Sequence, residues 1–178
     1  DFPESLLALT IEEWELSLPA NIALSYLPVG NRIKLRLTAV GSDLQEIENQ
    51  LNDEVEKLKP LIGEKVISWD GSDIQEILKE ILLQTKLTLS VAESCTGGEL
   101  SRLITSVSGS SKYFLGGRIP YDYQKKIEIL GVSEQTILKK TVVSEEVAQE
   151  MSVGCQKLFK TDIALSTTGV AGPNSDDF

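Results

Sequence analysis

The run Glu93-Ser94-Cys95-Thr96-Gly97-Gly98 is the part of this chain whose residue types are best suited to chemistry. An apolar stretch, residues 87–92, precedes it and a helical pattern to about Val107 follows it. A strand that ends in a serine and turns through glycines into a helix sets a hydroxyl at the carboxyl edge of a sheet. There it lies beside helix-start amides that can hold a phosphate or a developing oxyanion. A second small-residue run, Thr167-Thr168-Gly169-Val170-Ala171-Gly172-Pro173, also ends a strand pattern and offers a hydroxyl at Thr168 and a further set of amides. Neither run is a P-loop or a dinucleotide fingerprint, because both glycine spacings are absent. A plain strand-to-helix turn capped by Thr96 stays open as the alternative.

There is no histidine. This removes Ser-His-Asp and Cys-His catalysis and the histidine-containing zinc signatures, so acid–base chemistry must use Lys, Tyr, Cys or a carboxylate. No cofactor motif and no metal motif is read. The two cysteines, Cys95 and Cys155, are too few for a disulfide scaffold, and a reducing cytoplasm is the expected setting. Net charge is −10 with the cations scattered singly, which argues against nucleic acid as a partner. No apolar run is long enough to span a bilayer.

Two units must position these residues. In residues 1–68, Ile33, Leu35 and Leu37 alternate with polar neighbours, Gly30-Asn31 supplies a tight turn, and 23–27 forms the partner strand. Ser42 and Gln45 read as a capping box for a helix along Leu44, Ile47, Leu51, Val55 and Leu58, ended by Pro60 and Gly63. Residues 64–68 read as a short strand. This unit is α+β, with 12 acids against 6 bases. From 69 to 178 the pattern alternates. A helix opens at Ser72 and Gln75, strands read at 87–92, 113–121 and 162–167, a helix runs through Ile127 and Leu130, and another runs from Ser144 to about Phe159. That alternation predicts an α/β layered domain with a largely parallel sheet.

Residues 92–98 together with Gly109-Ser110-Ser111, Gly116-Gly117-Arg118-Ile119-Pro120-Tyr121, Lys126, Leu130-Gly131-Val132, Val143-Ser144 and Thr168-Gly169-Val170-Ala171-Gly172-Pro173 resemble, in order and spacing, the C-terminal domain of the CinA family. That domain is similar to the stand-alone nicotinamide mononucleotide deamidase PncC. Residues 1–68 are similar to the KH-type middle domain of the same family, through Trp14-Glu15, 23–28 and 35–39. The resemblance implies an amidohydrolase that converts nicotinamide mononucleotide to nicotinic acid mononucleotide and ammonia. It implies Ser94 as nucleophile, Lys126 as base, Tyr121 as the supporting tyrosine and Thr168 as a further active-site hydroxyl. A lysine desolvated in a pocket can lose its proton near neutral pH, which suits a chain without histidine. Amides near Thr96 and Gly97 would face the oxyanion, Thr96, Gly97, Gly98, Ser110, Ser111 and Gly169 would help hold the nucleotide, and Glu93 would brace the loop.

Rival readings stay open at this level. Lys126 adjoins Lys125 and can be a solvated surface lysine, Cys95 is a rival nucleophile, and Tyr121 and Tyr123 can be packing aromatics. A nucleotide-binding protein without catalysis and a KH-type nucleic-acid-binding module remain alternatives. The parent protein is expected to be a homo-oligomer, a dimer, acting on a small-molecule nucleotide. The match stops at Pro173, ahead of a family segment that carries a phosphate-site arginine, and nothing matches the family's molybdopterin-binding-like domain. The resemblance therefore implies a fragment with weak or no turnover.

Overall fold

The computed structural model describes residues 2–30 and 32–172. Its backbone contacts divide the chain into a first unit ending at Ser72 and a second beginning at Asp73.

The first unit runs α1 (Glu4–Leu16), β1 (Ile22–Val29), β2 (Arg32–Ala39) and α2 (Leu44–Ile62), followed by a 3₁₀ turn at Gly63–Lys65. β1 and β2 form an antiparallel hairpin with Ile22 opposite Ala39 and Val29 opposite Arg32. Gly30 takes φ +61° at its turn, and Asn31 lies outside the described residues. Leu7, Ile11 and Trp14 of α1 meet Leu58 and Ile62 of α2 over Leu24, Tyr26, Ile33, Leu35 and Leu37 of the hairpin. Burial of this apolar surface is what holds the unit together. Inside it the Trp14 indole donates to the buried Glu54 carboxylate at 3.1 Å, and Lys57 pairs with the same carboxylate at 2.7 Å.

Three sequence expectations change here. The cap of α2 is Asp43, whose carboxylate accepts from Glu46 N at 3.1 Å, and not Ser42. Pro60 does not end α2: the helix continues through it to the buried Ile62. Residues 64–68 form no strand, and their first two residues complete the 3₁₀ turn.

The second unit runs α3 (Ile74–Thr85), β3 (Leu89–Ala92), α4 (Glu99–Thr105), a 3₁₀ turn (Ser110–Lys112), β4 (Phe114–Arg118), α5 (Tyr123–Leu130), α6 (Glu134–Lys140), α7 (Glu145–Phe159) and β5 (Ile163–Ser166). The three strands form one parallel sheet in the order β4-β3-β5. Asp73 rather than Ser72 opens α3, and the Glu76 carboxylate accepts from Asp73 N at 3.1 Å. Alternation along the central strand sends Leu89 and Val91 to one face, where Leu82, Ile104 and Tyr113 cover them. Ala92 faces the other side and packs with Leu130, Val132, Ile137, Val147, Met151 and Cys155. Both faces of β3 are thus buried, as a parallel strand requires. At Gly154, α7 meets the end of α5 so closely that a methyl group would lie 1.9 Å from the Leu130 carbonyl oxygen.

Among the described residues no helix is long and apolar enough to cross a membrane.

Candidate active site

Ser94 sits two residues beyond the last residue of the central strand. Glu93 N donates to Arg118 O at 2.8 Å, Ser94 N donates to Thr167 O at 3.1 Å, and Thr167 N donates to Ala92 O at 2.9 Å. The ladder therefore extends past β3 and holds Ser94 at the carboxyl edge, tied to the end of β5. Open α/β sheets bind ligands at this edge. The chain then reverses through Gly97 and Gly98, at φ +57° and +105°, into α4. At Gly98 the positive φ requires glycine, and a side chain there would also press on Ile119 Cδ1 at 3.0 Å.

The start of α4 differs from the expectation. Its amides do not face a ligand, because the Glu93 carboxylate occupies them. One oxygen accepts from Thr96 Oγ1 at 2.8 Å, Gly98 N at 3.1 Å and Leu100 N at 2.9 Å, and the other from Ser101 N at 2.8 Å and Ser101 Oγ at 2.7 Å. Glu93 is fully buried. Burial alone would raise its pKa, and these donors outweigh it and hold the carboxyl below its ordinary value. Gly97 N is taken as well, donating to Ser94 O at 3.1 Å. The amides of Cys95 and Thr96 have no hydrogen-bond partner among the described residues. The free donors therefore lie one and two residues after the serine, not at the glycines.

Lys126 lies one turn into α5, whose first turn is fixed by the Asp122 carboxylate accepting from Gln124 N at 2.8 Å. Its relative exposure is 0%. Nζ lies 2.9 Å from Ser94 Oγ, 3.0 Å from Pro120 O and 2.9 Å from Tyr121 O. No carboxylate pairs with it among the described residues, and burial pushes its pKa down. The two carbonyls can only accept, so each takes an N–H. In the ammonium form the third N–H points at Ser94 Oγ. In the neutral form that position is a lone pair and Ser94 donates to it. Adjacent Lys125 points outward and pairs with Glu128 at 2.5 Å, so one helical step separates the surface lysine from the buried one.

The remaining expected residues divide. Tyr121 meets Lys126 through its backbone carbonyl, while the residue is 67% exposed and its hydroxyl has no partner among the described residues. Thr168 turns away from the serine, its Oγ1 donating to Val142 O at 3.0 Å. Its neighbour Thr167, which sequence reasoning missed, is the residue that touches the serine loop: its Oγ1 lies 2.7 Å from Thr96 Oγ1 and 3.4 Å from Ser94 N. Strand alternation past β5 was the signal available for this, since it turns 167 and 168 to opposite sides. Gly169 packs on Cys95, where a methyl group would come within 3.1 Å of Sγ. Ser110 and Ser111 lie in the 3₁₀ turn that leads into β4, at the amino edge of the sheet and so at the opposite edge from Ser94.

Fold and site together define an α/β protein with a buried serine–lysine pair at the carboxyl edge of a parallel sheet. The model of the CinA C-terminal domain matches residues 71–177, and the chain belongs to the CinA family. A CinA-like protein of Flavobacterium psychrophilum is 46% identical over 98% of this chain and 42% of its own length. A putative competence-damage inducible protein of a Thermoanaerobacter species is 42% identical over 78% of this chain and 34% of its own. The chain thus spans about two fifths of the length of the curated relatives it matches. Among solved structures, a CinA superfamily protein of Escherichia coli is 33% identical, with a TM-score of 0.57 over 58% of this chain and 60% of that one. A competence/damage inducible protein of Agrobacterium tumefaciens is 32% identical, with a TM-score of 0.52 over 58% and 65%.

Proposed function

We propose that the protein is a serine–lysine amidohydrolase that deamidates nicotinamide mononucleotide to nicotinic acid mononucleotide and ammonia. One observation carries the reading: a fully buried lysine amine, without a carboxylate partner among the described residues, lies 2.9 Å from a serine hydroxyl. A lysine that is only structural would keep its charge by pairing it or by reaching water. This one is desolvated toward the neutral form, and its two carbonyl contacts aim the remaining lone pair at Ser94.

The steps follow from that geometry. Lys126 takes the Ser94 proton as Oγ bonds to the carboxamide carbon. The amides of Cys95 and Thr96 stabilise the tetrahedral oxyanion. The lysine ammonium then protonates the departing nitrogen, the C–N bond breaks and ammonia leaves, with the acyl group on Ser94. Water attacks the ester with Lys126 as base, and the proton returns to Ser94 as the carboxylate product is released.

Ammonia release from nicotinamide mononucleotide tests the proposal. In the full-length parent protein, which every turnover measurement uses, Ser94→Ala and Lys126→Ala each lower it by about 100-fold or more, the range of a general base or a nucleophile. Unchanged release in either variant would overturn the mechanism. In this reading the first unit is a KH-like spacer and not a nucleic-acid reader, in keeping with its acidic balance. Micromolar, salt-dependent binding of single-stranded RNA would contradict that part.

A further inference from the structure

Glu93 and the two threonines at the loop junction form a directed chain. The Glu93 carboxylate, ionised and fully buried, can only accept, so the single Thr96 hydroxyl proton goes to it at 2.8 Å. At the 2.7 Å contact between Thr96 and Thr167, Thr96 therefore accepts and Thr167 donates. With its proton committed, the Thr167 oxygen presents lone pairs toward Ser94 N at 3.4 Å, beside the backbone carbonyl of the same residue, which accepts that N–H at 3.1 Å. The same carboxylate also takes Gly98 N, Leu100 N and Ser101 N. One buried anion thus sets the direction of both hydroxyl hydrogen bonds that link the serine loop to the end of β5. The Cys95 and Thr96 amides lie in the middle of this arrangement with no partner of their own among the described residues.

We infer that Glu93, Thr96 and Thr167 are positioning residues that hold Ser94 and the two amides after it in attacking register. None of the three touches the reacting atoms through its side chain. Their effect is to fix the distance between Ser94 Oγ and Lys126 Nζ and to keep the α4 amides off the substrate. The inference rests on the serine–lysine reading of the site. It does not depend on which amide is the substrate.

The test follows two readouts. One is ammonia release from nicotinamide mononucleotide. The other is the rate of Ser94 labelling by a fluorophosphonate, measured by peptide mass, which requires an activated serine but no particular substrate. Thr167→Val keeps the side-chain shape and removes the donor. It lowers labelling by about tenfold or more and lowers kcat in parallel, with KM within about twofold, as a small misplacement of a nucleophile does. Thr167→Ser restores both, and the acid limb of the pH profile stays where it was, because Lys126 is untouched. Should Thr167→Val fail to fold, Thr96→Val cuts the same chain on the exposed loop and gives the same loss. Labelling of Ser94 without ammonia release, slowed in Thr167→Val and restored in Thr167→Ser, supports the positioning role and removes only the nicotinamide substrate. Wild-type labelling rates in both valine variants overturn the positioning role. A wild-type protein that neither labels nor turns over removes the serine–lysine reading and this inference with it.

Discussion

Gly154→Ala tests whether the close approach of α7 to α5 is what sets the lysine in place. In an isolated helix the change is favourable by about 1 kcal/mol, since glycine is a poor helix former. Here the new methyl group would lie 1.9 Å from Leu130 O, 2.7 Å from Leu130 C and 2.9 Å from Leu130 Cβ. The nearest two atoms are backbone, so no rotamer change relieves the contact. Bringing 1.9 Å even to 3.0 Å, below which such contacts essentially never occur, moves the helices apart by roughly 1.1 Å in a densely packed interior. Overpacking of this kind costs up to about 3 kcal/mol, which leaves a net loss of about 2 kcal/mol after the propensity gain. For a unit of this size that lowers Tm by roughly 8 °C or more. Lys126 lies one turn before Leu130 on α5. A shift of about 1 Å at that point separates Nζ from Ser94 Oγ and costs about 100-fold in turnover. Thermal unfolding and ammonia release are measured on the same preparation. A variant with raised Tm and unchanged kcat would refute the argument.

Three further outcomes are expected. The pKa of Lys126 is lowered on folding, so between the folded value and its ordinary 10.5 the unfolded chain binds more protons. Wild-type stability relative to Lys126→Met therefore rises with pH through that window, by at most about 1.4 kcal/mol per pH unit, in urea titrations at a series of pH values; a flat difference would contradict burial as the cause. Tyr121→Phe leaves ammonia release within about twofold, because the tyrosine reaches Lys126 through its carbonyl alone; a larger loss would assign the hydroxyl a role. Asp43→Ala lowers the stability of the first unit by about 1 kcal/mol in urea unfolding while Ser42→Ala does not, and the reverse order would return the cap to Ser42.

The parts of the fold carried by strong periodicity were legible before any coordinates. The hairpin, α2, α3 and α7 announce themselves through alternating or helical apolar spacing. Their boundaries moved where two capping residues stand side by side. At Ser42-Asp43 and Ser72-Asp73 the acid is the cap: the Asp43 carboxylate accepts from Glu46 N, and Asp73 closes a capping box with Glu76. α1 passed unread because Pro3 offers it no side-chain cap and Leu6, Leu9 and Leu16 are exposed, which blurs its apolar stripe. Pro60 looked like a terminator, yet the helix runs two residues past it and buries Ile62.

The site was legible only in part, for a physical reason. Ser94 and Lys126 are 32 residues apart and meet through a parallel crossover, a relation that spacing alone does not encode. The family resemblance supplied both residues. It also pointed to Tyr121, which meets Lys126 through its carbonyl, and to Thr168, whose hydroxyl donates to Val142 O. Ser110 and Ser111 have the right residue types for anion binding, but they precede β4 instead of following it, which puts them at the far edge of the sheet. Which helix-start amides are free depends on where the Glu93 side chain goes, and that required the three-dimensional arrangement.

The central claim is that Lys126 is a desolvated amine poised against Ser94. It is tested most directly by NMR titration of the protein labelled with ¹³C at lysine Cε, with the Lys126 resonance assigned by its loss in Lys126→Met. One lysine, Lys126, is expected to titrate below the ordinary value of 10.5, at the same pH as the acid limb of ammonia release. A Lys126 resonance that titrates with the surface lysines would contradict it, because the amine would then be charged at neutral pH and unable to take the Ser94 proton.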